Sequence, residues 1–302
     1  MSKLVVIVGA TGKQGGSVIT AILDDNKAKA AFRIRGITRD ASKPAAKALE
    51  AKGVEMVSAD LGDKASLVKA FEGAAAVFAV TDYWNTMNKD IEVQQGKNLA
   101  DAAKEAGVGH YVWSSLINVT KSEIGEYARS IGLPTTFFMP GFYMSNLPGG
   151  SIRKDDKSGK FVLSLPVKED AQLPLIDAET ATGSFVKAIL MNKEATLGKD
   201  IYGADAYYTP QQVVDGFVKA FPEDGKGATF QTTPDDVFIQ IMTGMKMPQH
   251  VAEEMLQNMH LLNKEYGYYE GKDLKESHSI LTDPLVSWTE FVKKAPAFKD
   301  LK

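Results

Sequence analysis

Three glycines at fixed spacing follow the first apolar run of the chain and could hold the phosphates of a dinucleotide. The segment Gly9-Ala10-Thr11-Gly12-Lys13-Gln14-Gly15 comes directly after the β-branched run Leu4–Val8 and opens a predicted helix. Gly9 allows a sharp turn, Gly12 lets the backbone approach a pyrophosphate, and Gly15 lets the helix pack against the strand. Backbone N–H groups at the helix start then point at the phosphates. The alternative is a tight corner without a ligand, and the agreement of strand, turn and helix favours the phosphate site.

The residues after the second predicted strand could determine whether NAD or NADP binds. A fold specific for NAD usually places an acidic residue here, which accepts a hydrogen bond from the ribose 2′-hydroxyl. In this chain the first charged residue is Arg39, and Lys43 follows four positions later. A guanidinium can stack on adenine and bind a 2′-phosphate through two hydrogen bonds, and the lysine adds positive charge. We therefore predict NADP(H) as the cofactor, with two solvated loop cations and the intervening Asp40 as the competing interpretation.

A carboxylate at the end of the third predicted strand could bind the adenine of the dinucleotide. Asp60 is placed to accept a hydrogen bond from the adenine amino group, and we assign the adjacent Leu61 to the same cofactor site. An aspartate in this position can instead cap the turn that follows it. The sequence leaves both roles open.

The composition excludes several other kinds of chemistry. The 302 residues include no cysteine, which excludes disulfides, thiolate metal ligands and a cysteine nucleophile. The four histidines show no metal-ligand spacing, so no metal is expected. A net charge of −3 gives no electrostatic reason to expect direct nucleic-acid binding. Since no membrane-spanning run or targeting segment is found, we expect a cytoplasmic protein, and a nuclear location is compatible with the same sequence.

Alternating strands and helices bring these residues to one edge of a sheet. The predicted strands of the first half are Leu4–Val8, Phe32–Thr38, Val54–Ala59, Ala75–Val80, His110–Ser114 and Thr135–Met139. Helices are predicted between them, and such βαβ alternation implies right-handed crossovers and one parallel sheet. The fold class is therefore α/β, a Rossmann-type doubly wound parallel sheet over residues 1–148.

Residues 149–302 are predicted to form a smaller, mainly helical portion, and parts of 172–203 could return to the main sheet. Asp177 is the predicted N-cap of a helix over 179–191, and Thr-Pro pairs at 209 and 233 begin two others. Helices are predicted over 210–221, 235–243, 248–265 and 284–294. Five methionines between residues 242 and 259 suit a core, an adaptable pocket or a partner-binding surface.

With these residues in place, the chain resembles the NmrA-like family of atypical short-chain dehydrogenases, which includes NADPH-sensing members. The resemblance covers residues 3–190 and rests on the glycine turn with Gly16-Ser17-Val18, Thr38-Arg39-Asp40, Val80-Thr81-Asp82-Tyr83-Trp84, Glu92-Val93-Gln94-Gln95-Gly96-Lys97, Tyr111-Val112-Trp113-Ser114-Ser115, and Met139-Pro140-Gly141-Phe142-Tyr143-Met144-Ser145-Asn146. It implies that Thr81 and Tyr83 lie against the cofactor. It also implies that Phe142, Tyr143 and Asn146 cover the nicotinamide side.

The resemblance further implies that a proton donor is missing. Reducing members of the wider superfamily use a Tyr-x-x-x-Lys pair, whose lysine lowers the pKa of the tyrosine so that the phenol can transfer a proton. Lys121 falls at the family lysine and could hold the nicotinamide ribose, but Ile117 stands four residues before it. The loop before Lys121 is also shorter than in the family. Lys121 and Tyr143 are therefore the candidate catalytic residues.

Two functions are compatible with this pattern. The first is a regulator that senses NADP(H) and acts on a protein partner without chemistry. The second is an NADPH-dependent reductase of a small quinone, carbonyl or phenolic substrate. The missing tyrosine favours the regulator.

Overall fold

The computed structural model describes residues 2–116 and 119–302, without the side chains of residues 119–121. The strands, in chain order, are β1 Lys3–Val8, β2 Phe32–Thr38, β3 Glu55–Ser58, β4 Ala76–Ala79, β5 Tyr111–Ser114, β6 Thr135–Pro140, β7 Phe142–Tyr143, β8 Ile152–Lys154, β9 Phe161–Leu165, β10 Leu173–Ile176, β11 Asp200–Gly203, β12 Ala206–Tyr208 and β13 Thr229–Thr232. The α-helices are α1 Lys13–Asp24, α2 Asn26–Ala31, α3 Pro44–Glu50, α4 Lys64–Phe71, α5 Tyr83–Thr86, α6 Lys89–Glu105, α7 Val119–Ser130, α8 Ala181–Met191, α9 Lys193–Thr196, α10 Pro210–Ala220, α11 Asp235–Gly244, α12 Gln249–His260, α13 Lys275–Ser279 and α14 Trp288–Lys293. No helix in the described part of the chain is both long and apolar enough to cross a membrane.

The chain forms two compact units, and each draws on several segments. The first unit comprises Met1–Pro140, Ala178–Gly203 and Lys275–Pro284. The second comprises Gly141–Asp177, Ala204–Leu274 and Leu285–Lys302. A return to the main sheet is compatible with parts of the sequence 172–203. Of this stretch, α8 and β11 belong to the first unit and β10 to the second.

A seven-stranded parallel sheet forms the centre of the first unit. Its strand order is β11-β6-β5-β4-β1-β2-β3, and its described pairings are parallel. The side chains of residues 4–8 in β1 are buried, as expected for a strand covered on both faces. Strand order reverses between β4 and β1, and ligands of such sheets bind beyond the carboxyl ends of the strands at this point. The predicted fold class is confirmed.

Helix α8 packs against α1 through a glycine. A Cβ atom on Gly183 would lie 2.2 Å from the carbonyl oxygen of Ser17, so the two backbones touch. The Ser17 hydroxyl accepts a hydrogen bond from the N–H of Gly183 at 2.8 Å and donates to the carbonyl of Thr180 at 3.2 Å. The first turn of α8 is thus capped from α1, with Thr180 as the N-cap residue. The prediction that Asp177 is the N-cap residue is wrong, because the helix begins at Ala181 and its N-cap residue is Thr180.

A buried ammonium group joins three segments of the first unit. The Nζ atom of Lys187 lies 2.9 Å from Oδ2 of Asp25 and 2.6 Å from Oδ2 of Asp283. Hydrogen bonds lower the pKa of Asp25 to about 2. The bond from the backbone N–H of Ala28 has the largest effect, and the bond from Lys187 has the next largest. Since these residues lie in α8, at the α1–α2 corner and in the segment 275–284, the ion pairs connect distant parts of the chain.

His110 is buried immediately before β5 and is held as a neutral ring. Its Nε2 lies 2.8 Å from Oγ1 of Thr136, and that hydroxyl donates to the carbonyl of Thr196 at 3.0 Å. A hydroxyl has one proton, so Nε2 must be the donor to Thr136. Burial, and secondarily the charge of Lys193, lowers the pKa of His110 from 6.5 to about 4.

We expect the fold to lose stability as the pH falls from 6.5 toward 4, the interval between the ordinary and the folded pKa of His110. Over this interval the unfolded chain binds a proton that the folded chain does not bind. This difference lowers the free energy of unfolding by at most about 3 kcal/mol. The variant His110→Gln keeps an N–H donor but cannot titrate, so urea unfolding should show a smaller loss over this interval. Identical pH profiles for the two proteins would contradict the assignment.

The second unit contains two three-stranded sheets and a group of helices. The strand orders are β12-β10-β7 and β13-β9-β8. The helix predicted to start at 284 begins at Trp288, because Ser287 and Glu290 form a capping box. The helix predicted to end at 265 ends at His260. Among the methionines, Met259 packs against the unit's core, whereas Met245 is 69% exposed.

Candidate functional site

The glycine turn joins β1 to α1 at the carboxyl edge of the sheet. Gly9 has a φ of +66°, which favours glycine, and its carbonyl accepts from the N–H of Gly12 at 2.9 Å. A Cβ on Gly15 would lie 2.3 Å from the carbonyl oxygen of Gly9, so the helix can touch the turn only with glycine there. Thr11 and Gly12 are exposed. The turn therefore presents bare backbone to any molecule that approaches it.

The amino end of α1 is left open by the protein. Gly12 is the N-cap residue, no described side chain caps the helix, and the first turn carries no acidic residue. Lys13 is exposed, and its Nζ lies 3.9 Å from Oε1 of Glu179. Such a surface ion pair contributes little to stability. Oε1 of Gln14 accepts from the buried Ser114 hydroxyl at 2.7 Å, which ties the helix start to β5. An uncapped helix start with a positive dipole end can bind phosphate.

Arg39 follows β2 and contacts the chain beyond β4. Its Nη1 donates a hydrogen bond to Oδ1 of Asn85 in α5, at 2.8 Å. Because β2 and β4 are the two neighbours of β1 in the sheet, this bond spans the edge from which the glycine turn emerges. No pattern in the sequence points to Asn85, since the two partners are 46 residues apart and no local motif relates them.

Asp40 turns back into its own loop. Its Oδ1 accepts from the hydroxyl and the N–H of Ser42, at 2.6 and 2.9 Å, and these bonds lower the pKa of Asp40. Arg39 and Lys43 are both exposed. The carboxylate that complicated the sequence pattern is therefore engaged locally, and the two cations remain accessible.

Asp60 and Leu61 follow β3 at the same edge. Oδ1 of Asp60 accepts from the N–H of Gly62 at 2.8 Å, so the turn-capping role is present. The side chain of Asp60 is exposed. Leu61 is half-buried against the core of the first unit, and its carbonyl accepts from Nδ2 of Asn98 at 2.9 Å.

A buried carboxylate holds Thr81 just beyond β4. The Thr81 hydroxyl donates to Oε1 of Glu92 in α6 at 2.7 Å, and both side chains are buried. Since its proton is used, Oγ1 of Thr81 can only accept from a ligand. Glu92 was not singled out from the sequence, although it belongs to a stretch that matches the family. Tyr83 is half-buried, with its ring centroid 5.6 Å from that of the exposed Trp84.

The other candidate residues lie elsewhere in the chain. Phe142 and Tyr143 form β7 in the second unit, paired in parallel with β10, and Asn146 is exposed in the 3₁₀ helix Met144–Asn146. Ile117 and the side chain of Lys121 lie outside the described residues. The structure therefore brings together the predicted residues that follow β1 to β4. The side chains of the tyrosine–lysine motif lie outside the described residues.

Comparison with known proteins identifies the family. The model of the NmrA-like family matches residues 1–293, and the chain belongs to this family. It is similar to the NmrA-like family domain-containing oxidoreductase cpsB of Aspergillus campestris, with 31% identity over 249 residues that cover 72% of each chain. It is also 29% identical over 216 residues to the nitrogen metabolite repression protein nmr of Neurospora crassa, covering 65% of this chain and 42% of that protein.

Solved structures share the fold at low identity. Nmra, a negative transcriptional regulator crystallised in complex with NADP, has a TM-score of 0.79 and 21% identity, over 99% of this chain and 97% of that one. The Citrobacter sp. triphenylmethane reductase complexed with NADP(H) has a TM-score of 0.77 and 20% identity, over 96% and 99%. An NADPH-dependent quinone oxidoreductase of Escherichia coli complexed with NADPH has a TM-score of 0.73 and 21% identity, over 95% and 98%. These likenesses establish the fold.

Proposed function

We propose that the first unit binds NADP(H), with the pyrophosphate at Gly9–Gly15 and the 2′-phosphate at Arg39 and Lys43. The fit rests on the uncapped start of α1 and on the bare backbone of the glycine turn. It also rests on the two exposed cations, whose neighbouring carboxylate on Asp40 is engaged by Ser42. Structural neighbours that hold NADP, NADP(H) or NADPH support a nicotinamide dinucleotide, and Nmra has also been crystallised with NAD, so the choice of NADP(H) rests on the two cations.

Other contacts of the proposed cofactor are inferred from residues that follow β3 and β4 at the same edge of the sheet. Asp60 and Leu61 would meet the adenine, and Thr81 and Tyr83 would lie along the dinucleotide beyond β4. Lys121, Phe142, Tyr143 and Asn146 stay predictions from the family resemblance. When bound, the nicotinamide group supplies or accepts a hydride.

We propose further that the chain is a regulator whose surface responds to NADP(H) occupancy. The observation that carries this proposal is the hydrogen bond between Arg39 and Asn85, because it connects the 2′-phosphate residue to a segment that exposes apolar side chains. Trp84, Met87 and Ile91 are 53%, 44% and 44% exposed. These three residues lie within eight positions of one another in the chain, and exposed apolar side chains that adjoin one another are typical of partner binding. A phosphate that binds Arg39 would fix its guanidinium and, through the existing hydrogen bond to Asn85, would restrain this surface further.

The second candidate function is an NADPH-dependent reductase of a small quinone, carbonyl or phenolic substrate. The names of the relatives favour it, since cpsB is called an oxidoreductase and two structural neighbours are called a triphenylmethane reductase and a quinone oxidoreductase. Hydride transfer to a carbonyl leaves an alkoxide that must receive a proton. Ile117 cannot supply it, and a quinone needs less help because it delocalises the incoming charge.

Titration calorimetry with both cofactors tests the binding proposal. NADPH should bind about 10- to 100-fold more tightly than NADH, since one charge-assisted contact contributes roughly 1.5–3 kcal/mol. Arg39→Ala should abolish this preference and leave NADH binding unchanged. The matched control is Arg33→Ala, which removes the same charge from the opposite end of β2, where Arg33 is also exposed. Equal affinities of the wild-type protein for the two cofactors would refute the assignment.

Turnover measurements separate the two candidate functions. With aldehydes and simple ketones, NADPH oxidation should be slow or undetectable, because an absent general acid costs about 10²- to 10⁴-fold. The loss of reduced-nicotinamide absorbance is followed with a ketone and with a quinone at saturating NADPH. Ketone reduction at an ordinary enzymatic rate, on the order of 10 per second, would overturn the regulator proposal.

A further inference from the structure

The hydrogen bond of Asn85 leaves one edge of the Arg39 guanidinium open. A guanidinium carries five N–H donors, and the pair on Nε and Nη2 is the one that grips a phosphate from the side. Asn85 takes a hydrogen bond from Nη1, which lies outside that pair. Within the described part of the chain, the Arg39 side chain makes one hydrogen bond, and its acceptor is Asn85. The phosphate-binding edge of Arg39 is thus free of protein acceptors while the group itself is held.

We propose that Asn85 is a specificity-determining residue for the 2′-phosphate, because it holds the Arg39 guanidinium with this edge turned to the ligand. This inference rests on the proposed binding of NADP(H). A free arginine side chain has many rotamers, and a phosphate that had to order it would bind more weakly. Asn85 orders the guanidinium before the cofactor arrives.

The chemistry of an amide suits this task better than that of a carboxylate. The amide oxygen of Asn85 accepts a hydrogen bond but brings no charge, so the full positive charge of Arg39 remains for the phosphate. An aspartate at the same position would bind Arg39 more strongly and would also repel the phosphate. The nearest carboxylate in sequence, Asp40, does not compete for Arg39, because its Oδ1 accepts two hydrogen bonds from Ser42.

Calorimetric titration of Asn85→Ala and Asn85→Asp with NADPH and NADH tests the proposal. Asn85→Ala should weaken NADPH about 3- to 10-fold, the value of one hydrogen bond, and change NADH less than about twofold. Asn85→Asp should weaken NADPH further, through its negative charge. In an Arg39→Ala background, Asn85→Ala should have no effect on NADPH, because the group it positions is gone. Asn85 is exposed, so the thermal midpoint should not change.

Failure of this inference can be told apart from failure of the proposed function. A wild-type protein without a preference for NADPH refutes the cofactor assignment itself. If the wild type prefers NADPH and Arg39→Ala abolishes the preference, but Asn85→Ala retains it, only the role of Asn85 is refuted. Equal losses for both cofactors, or tighter NADPH binding by Asn85→Ala, would also overturn that role.

Discussion

Binding of NADPH should disappear in the variant Gly12→Val, while the first unit keeps its fold. Gly12 has φ −90° and ψ 175°, a conformation that valine adopts readily. A Cβ there would meet the carbonyl oxygen of Gly9 at 3.3 Å, which a shift of a few tenths of an ångström relieves. The rest of the side chain would occupy the space in front of the helix start, where we place the pyrophosphate. We expect an affinity loss on the order of 100-fold or more, measured by calorimetry.

The control for this variant is Gly16→Ala in the same helix. A Cβ on Gly16 would lie 3.6 Å from the carbonyl oxygen of Ala10, an ordinary contact, so binding and thermal midpoint should stay close to those of the wild type. Gly15→Ala is unsuitable, because its Cβ would strike backbone at 2.3 Å. If Gly12→Val bound NADPH within tenfold of the wild type, the phosphates would have to lie elsewhere.

The variant Gly183→Ala should be among the least stable single substitutions in the first unit. The added Cβ would lie 2.2 Å from the carbonyl oxygen and 2.7 Å from the carbonyl carbon of Ser17. Both atoms belong to the backbone of α1, so the two helices would have to separate and lose the Ser17 hydrogen bonds. We expect a loss of about 3 kcal/mol in the free energy of unfolding, measured in urea.

Gly244→Ala provides the comparison for this loss. Gly244 is the last residue of α11, and a Cβ there would have no neighbour within 4 Å. Alanine is the better helix former by up to about 1 kcal/mol, so stability should be unchanged or slightly higher. Equal stabilities of the Gly183→Ala and wild-type proteins would mean that α1 and α8 are not in backbone contact.

Local patterns were sufficient for much of the fold. The bounds of β2 are those predicted, because its apolar and β-branched residues fix them without reference to the rest of the chain. The N-cap of α8 was predicted wrongly for the opposite reason. Ser17, which caps it, lies 166 residues away from Gly183 in sequence.

The same distinction applies to the candidate site. The glycine turn could be predicted because strand, glycines and helix are contiguous. Asn85 could not, since only the order of strands in the sheet brings it to Arg39. Glu92 could not either, because a glutamate in an amphipathic helix is normally solvated and only the structure shows it buried against Thr81.

The segmented build of the first unit has a consequence for its synthesis. In the finished sheet β6 is covered by β11, and Lys187 is paired with Asp283, which comes later still in the chain. A ribosome adds roughly 5–20 residues per second, so β6 is synthesised about 3–12 s before β11, which starts 60 residues after β6 ends. During that interval the outer edge of the nascent sheet has open hydrogen-bonding groups, the kind of surface that recruits other strands. The edge of β6 therefore stays open to pairing with another chain until β11 has been translated and occupies it.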